Sequence, residues 1–429
     1  MKHVSTCRSE LMSHHPHDRF RSFWMAALLL AVTAMPAAAQ TGAASWVGTW
    51  ATAPVRDDAA SSFTRQTLRQ VICTSVGGSS ARIHISNLFG TRPLRVEDVH
   101  IARLGDGSSI LPDTDRAVLF RGSRFIVIAP GKEAVSDPVA FQVPALSDIA
   151  ISFCLPRPSG RATFHGAAHQ TSYLASGDVS SSKDLSDAKT TESTWFLTGL
   201  DVQGAGLHGA VVTLGASITE GYFSTPGANR RWPNVLAQKL VEAGFGIGVL
   251  NEGISGNRLL ADGAGASARH RFRRDVLELP GVRWVIFADA PINDLGSTKP
   301  QPSAAQLIAG IGQLIALAHQ SHIQFFCSTL TPYEGANYWT PAGEAARERV
   351  NDFLRSEASG CDAVIDQDAA THDPAHPTRF LPAYDHGDHL HPNDAGLQAI
   401  AGAVNLALFT QASGRDGMRS SPSAGRHRP

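Results

Sequence analysis

The rhythm of apolar residues changes near residue 206, and that change limits the fold more than any other feature of the chain. From about residue 46 to 202 the apolar runs are short. Some alternate with polar residues, as in 68–73 and 81–85; others are continuous, as in 125–128 and 149–153. Turn signals separate them: Gly77-Gly78, Gly105-Asp106-Gly107 and Pro130-Gly131. Regularly punctuated short strands predict an all-β sandwich or jelly roll. The Ser-, Asp- and Thr-rich stretch 176–194 reads as a surface loop rather than a strand. From His208 onward strands and helices alternate. Strands are expected at 210–214, 247–251, 284–288, 323–328 and 363–366. Helices are expected at 232–243, 304–320, 340–358 and 394–410, the last capped by Asn393 or Asp394. Such alternation predicts an α/β region with a parallel sheet and helices on both faces.

A chain of 429 residues exceeds one ordinary domain. The expected division is a β-sandwich accessory domain at 46–205 and an α/β domain at 206–412, joined near Gln203-Gly204-Ala205-Gly206. A disordered tail is expected at 413–429. Arg19 and Arg21 precede an apolar run from Phe23 to Met35 and then Pro36-Ala37-Ala38-Ala39-Gln40. This order predicts a signal peptide over 1–39, with export to the periplasm or medium and no stable membrane insertion after cleavage. An uncleaved anchor is the alternative, and a start at Met12 or Met25 would shorten a long basic region. Cys7 leaves with the signal. Cys73, Cys154, Cys327 and Cys361 then allow two disulfides, Cys73 with Cys154 and Cys327 with Cys361 if each pairs within its own domain. Cys327 serves equally well as a buried free thiol in a central strand. A net charge of −1 leaves no electrostatic footprint for nucleic acid.

The chemistry concentrates in four places. Val211-Val212-Thr213-Leu214 runs straight into Gly215-Ala216-Ser217, so Ser217 stands at the carboxyl end of a strand, where open α/β sheets bind ligands. Asn251-Glu252-Gly253-Ile254-Ser255-Gly256-Asn257 follows the second strand and offers the backbone N–H of Gly256. Ile292-Asn293-Asp294-Leu295-Gly296 follows the third and offers a side-chain amide. Asp388-His389-Leu390-His391-Pro392-Asn393 supplies a carboxylate and an imidazole three residues apart. Acyl transfer needs a nucleophile, a base, a group that orients the base and donors for the oxyanion, and these blocks contain all four.

These blocks, in this order and spacing, resemble the SGNH or GDSL-type hydrolase superfamily over His208 to about Phe409. The likeness is greatest to exported esterases with a β-rich N-terminal domain. The resemblance implies a flavodoxin-like parallel sheet and a serine esterase that uses no cofactor or metal. It implies Ser217 as nucleophile, His391 as general base and acid, and Asp388 as the group orienting His391. The Ser217 and Gly256 backbone N–H groups and the Asn293 amide would form the oxyanion hole. The expected substrate is a short acyl ester, acetyl foremost, on a carbohydrate or another small molecule. The oligomeric state stays open.

Two positions depart from the family pattern. Ala216 stands where the family has an Asp that braces the active-site loops, and Asp289 is the nearest substitute. In Asp289-Ala290-Pro291-Ile292-Asn293 the family's glycine is missing, and Pro291 restricts the backbone before Asn293. These departures motivate a non-catalytic carbohydrate-binding protein as one rival, and a lysophospholipase or lipase-like esterase is another. Asn257 and Arg258 fit either cleft lining or loop bracing. Asp385, His386, Asp388, His389 and His391 include ordinary zinc ligands, yet no Cys or distant His completes a set. Trp232, Tyr333 and Trp339 fit core packing or a sugar-stacking surface.

Overall fold

Strand order in a parallel sheet decides where its ligand site lies. In the computed structural model, which describes residues 45–410, five parallel strands follow the alternating segment. They are Gly209–Gly215, Ile247–Gly253, Val282–Phe287, Gln324–Ser328 and Ala363–Ile365. Numbered along the chain, their spatial order is 2-1-3-4-5, the flavodoxin-like arrangement. Its switch point lies between the first and third strands. The signal segment, Cys7 and the tail at 413–429 lie outside the described residues.

Both faces of this sheet are covered, which is why its strands read as continuous apolar runs. Val212, Leu214, Leu250, Val285, Phe287 and Phe325 pack one face against helices Ala304–Gln320 and Pro341–Arg355 through Leu307, Ile311, Leu314, Val350 and Leu354. Val211, Val249, Trp284, Ile286 and Phe326 pack the other against helices Trp232–Glu242 and Asp394–Gly402. Caps fix the helix starts. Ser303 and Gln306 form a reciprocal capping box, and the Asn393 side chain accepts from the N–H groups of Ala395 and Gly396. No helix among the described residues is long and apolar enough to cross a membrane.

Upstream lie two antiparallel sheets of five and seven strands and a small three-stranded one. Leu68, Ile83, Ile101, Ile151 and Leu200 of the two larger sheets belong to one core cluster. Strand Val47–Ala51 closes an edge of the five-stranded sheet by pairing with Leu197–Gln203. The segment around it also runs beside Ile247–Gly253, the edge strand of the parallel sheet. Thr52 bridges Asn251 in parallel, Gly48 N–H donates to Pro280 O at 3.0 Å, and Val249 N–H donates to Ser75 Oγ at 2.9 Å. The β-rich part thus covers an edge that would otherwise present unpaired backbone groups.

Two expectations need correction. Cys327 and Cys361 form a disulfide, but Cys73 and Cys154 are free and buried. Strands Gln66–Cys73 and Asp148–Leu155 are antiparallel partners in which Cys154 faces Thr67 and Cys73 faces Asp148. The two thiols therefore sit at opposite ends of the pair, roughly 20 Å apart along the strands, beyond the reach of a disulfide. The stretch 176–194 is not all loop: Lys189–Thr191 pairs with Ser172–Ser176 as an edge strand. Its polar side chains suit an edge, where charge and exposure discourage further pairing.

Candidate active site

The first parallel strand ends at Gly215, and a single helical turn, Ser217–Glu220, starts at once. The turn closes on Gly221 in the left-handed region (φ +103°), whose N–H returns to Ser217 O. Gly215 has no alternative: a Cβ there would lie 2.2 Å from Thr219 Oγ1 and 2.4 Å from Asp289 Oδ1. Asp289, just beyond the third strand, grips this turn. Its Oδ1 accepts from Ala216 N–H (3.1 Å) and from Thr219 Oγ1 (2.5 Å), and its Oδ2 accepts from Ile218 N–H (2.9 Å). A carboxylate from the neighbouring strand thereby braces the turn that has alanine at position 216.

Ser217 Oγ lies 2.8 Å from His391 Nε2, and His391 Nδ1 lies 2.6 Å from Asp388 Oδ2. An ionised carboxylate only accepts, so the proton of the neutral ring sits on Nδ1 and Nε2 is left to accept from the serine hydroxyl. Asp388 Oδ1 also accepts from the N–H groups of Leu390 and His391. Burial would raise the Asp388 carboxyl, but the His391 ring and these backbone donors outweigh it and hold it below the usual carboxylate range. Ser217 and His391 are buried, 8% and 9% exposed.

The second and third blocks meet beside the serine strand. Ile254 N–H donates to Gly215 O at 3.3 Å, and Gly256 sits exposed in the left-handed region (φ +75°). Pro291 stands in the first turn of an eight-residue helix, Ala290–Ser297, where its missing N–H costs nothing. The Asn293 side chain emerges from that helix, buried and fixed. Its Oδ1 accepts from Tyr338 Oη (3.1 Å) and one Nδ2–H donates to Asn257 O (3.0 Å). The second Nδ2–H makes no hydrogen bond among the described residues. Asp294, next in sequence, accepts from the N–H groups of Leu259 and Leu260 and so anchors the stretch after Gly256. Burial pushes its carboxyl up to about 6.

Other expectations resolve around this frame. Asn257 braces its loop by donating to Ala264 O and Ala266 O, and Trp232 and Tyr333 are core residues. His389 pairs with Asp385 in an exposed loop, and His386 stacks on Phe223. Sequence reasoning missed Arg271, which is wholly buried. Its guanidinium donates to Gly215 O, Glu252 O, Asn257 Oδ1 and Asp275 Oδ2, tying the first block to the second. Tyr338 was missed as well. An arginine in an amphipathic helix and a tyrosine in a loop carry no local sign of such roles. Glu220 was also passed over; it pairs with His165 of the β-rich part at 3.2 Å and accepts from Ser255 Oγ.

Among solved structures, the chain is similar to a GDSL-like lipase from Bacteroides thetaiotaomicron at 18% identity, covering 48% of this chain and 89% of that one (TM-score 0.38). It is similar to a carbohydrate acetylesterase family member from Sinorhizobium meliloti at 17% identity, covering 48% and 99% (TM-score 0.38). It is similar to an acetylxylan esterase from Geobacillus stearothermophilus at 22% identity, covering 46% and 93% (TM-score 0.35). No curated protein matches. Residues 213–399 match the model of the GDSL-like Lipase/Acylhydrolase family, a span that holds all four blocks, and this region is a hydrolase domain of that family.

Proposed function

We propose that this chain is an exported serine esterase that removes a short acyl group, acetyl foremost, from a carbohydrate or another small ester. The observation that carries the reading is the unbroken hydrogen-bond chain from Ser217 Oγ through His391 to Asp388. Ser217 Oγ attacks the ester carbonyl while His391 Nε2 takes its proton, and Asp388 stabilises the imidazolium. The oxyanion is received by the N–H groups of Ser217 and Gly256 and by the free Nδ2–H of Asn293. His391 returns the proton to the departing alcohol oxygen as the ester C–O bond breaks. Water then attacks the acyl-serine by the same route, freeing the acid and restoring the hydroxyl. The close burial of Ser217 and Asn293, each 8% exposed, favours a small acyl group. Export rests on the basic-apolar-small order of residues 1–39.

A second reading, longer acyl chains, draws on a groove of about 720 Å³ between the β-rich part and the Gly256 loop, with walls that include Phe89, Phe164, Ile254 and Ala264. Hydrolysis of p-nitrophenyl acetate and p-nitrophenyl decanoate, measured beside Ser217→Ala, tests both. The expected result is acetate turnover at least 10³-fold lower in the variant and a rate ratio favouring acetate. A ratio favouring decanoate supports the second reading. A folded wild type that hydrolyses neither ester, or a Ser217→Ala variant as fast as wild type, sinks the esterase.

A further inference from the structure

A serine esterase releases its alcohol beside the imidazole that protonates it, because the ring nitrogen that takes the serine proton also serves the leaving oxygen. Groups flanking His391 therefore meet the alcohol half of the ester. Two aromatic rings flank it directly: Tyr222 at 4.8 Å between ring centroids and Phe223 at 5.6 Å. They pack on each other at 4.3 Å, and His386 stacks on Phe223 at 3.6 Å with the planes 9° apart. Tyr222 is 37% exposed, Phe223 36%, and His386 is exposed as well.

Phe223 is held there at a cost. Its φ of +64° is a left-handed conformation that disfavours any residue with a side chain by about 1–2 kcal/mol, and strain of this kind gathers at ligand sites. His169, from the β-rich part, meets Tyr222 edge-on at 6.4 Å and supports the row from behind. The Tyr222 hydroxyl makes no hydrogen bond among the described residues. The row thus presents the outer faces and edges of packed rings beside a free donor and acceptor, and the exposed His389, held by the largely buried Asp385, follows in the same loop as His386.

We infer that Tyr222, Phe223 and His386 form the platform that receives the alcohol moiety, and that this moiety is a pyranose ring. A pyranose has a C–H face that lies on aromatic rings and a rim of hydroxyls for the Tyr222 Oη. The inference rests on the esterase reading above. It places the sugar on the His391 side of Ser217 and the acyl group on the Asn293 side.

The test compares kcat/KM on methyl 4-O-acetyl-β-D-xylopyranoside, which keeps its 2- and 3-hydroxyls, with kcat/KM on ethyl acetate, whose alcohol has no ring to stack. In Tyr222→Ala and His386→Ala the sugar-to-ethyl ratio falls roughly tenfold, chiefly through KM, the size expected for one lost aromatic contact. Tyr222→Phe, which keeps the ring, retains most of the ratio and guards against a folding failure in the alanine variant. Methyl β-D-xylopyranoside inhibits the wild type competitively and inhibits Tyr222→Ala less. An unchanged ratio in both alanine variants, or an equal loss on both esters, overturns the platform while leaving the esterase intact. A wild type that hydrolyses neither ester overturns the esterase reading and the platform with it.

Discussion

The serine turn and the imidazole loop come within 2.8 Å of each other at Ser217 Oγ and His391 Nε2, yet they are held by opposite means. The serine turn is fixed from far along the chain. Asp289 reaches it across 70 to 73 residues and Arg271 across 56, and every group involved is buried. The imidazole loop holds itself. Asp388 accepts from Leu390 and His391, and Asp385 accepts from Gly387 and His389, all within four residues, in a loop that is partly exposed although His391 itself is buried. One half of the site is therefore inseparable from the core of the fold, while the other is a local turn set upon it. Damage to the first should reach stability and chemistry together; damage to the second should reach chemistry far more than stability.

The largest expected effect lies in the loop. Asp388→Asn keeps the shape but forfeits the charge and the tautomer it enforces, and kcat falls by about 10³–10⁴-fold. Its melting temperature stays within about 2 °C of wild type, since the loop adds little buried surface. A drop in stability as large as that of a serine-side variant would break the comparison. Next comes Asp289→Ala, which strands the N–H groups of Ala216 and Ile218 in the core. Stability falls by about 3–5 kcal/mol in urea unfolding, and kcat falls by about 10²–10³-fold as the turn loosens. Full activity in a folded Asp289→Ala protein would show that Ala216 needs no such brace.

The smallest effect is a matter of pH. Asp294, on the serine side, has its carboxyl raised by burial to about 6, against the pull of the Leu259 and Leu260 N–H groups. An acid whose folded pKa exceeds its unfolded value binds more protons when folded. Stability from this group is therefore full below about pH 4 and is lost as pH rises to about 6, a difference on the order of 3 kcal/mol. Asp294→Asn removes that slope. Unfolding of both proteins at pH 4, 5, 6 and 7 measures it, and parallel curves would mean that Asp294 does not titrate there. On the imidazole side the sign is reversed. Asp388 has a depressed pKa, so its contribution is present above the ordinary carboxylate range and is lost only as the pH falls through its lowered value.

The same division explains what was legible in the sequence. The parallel strands could be read because burial on both faces writes a continuous apolar run, and helix 304–320 matched its expected limits because Ser303 and Gln306 mark its start locally. The Asp388-x-x-His391 pair was equally visible, being a short-range device. Arg271 and Tyr338 were not, because the loop groups they hold lie 14 to 56 residues away, and nothing near them in sequence differs from an ordinary helix or loop. Asp289 could be suspected only from the gap at Ala216. The stacking candidates in the sequence were Trp232, Tyr333 and Trp339; the core absorbs the first two and Trp339 packs against it half-buried, whereas the exposed rings beside His391 are Tyr222 and Phe223. Aromatic composition does not reveal exposure. The free thiols at Cys73 and Cys154 teach a similar point: an even count does not fix pairing when the strands carry the residues to opposite ends.

The bridge between Thr52 and Asn251 bears on how the chain can be divided. A hydrolase excised at Gly206 would lose the Val47–Thr52 segment that lies along Ile247–Gly253, and the backbone groups of that outermost strand would then be open to pairing with another copy.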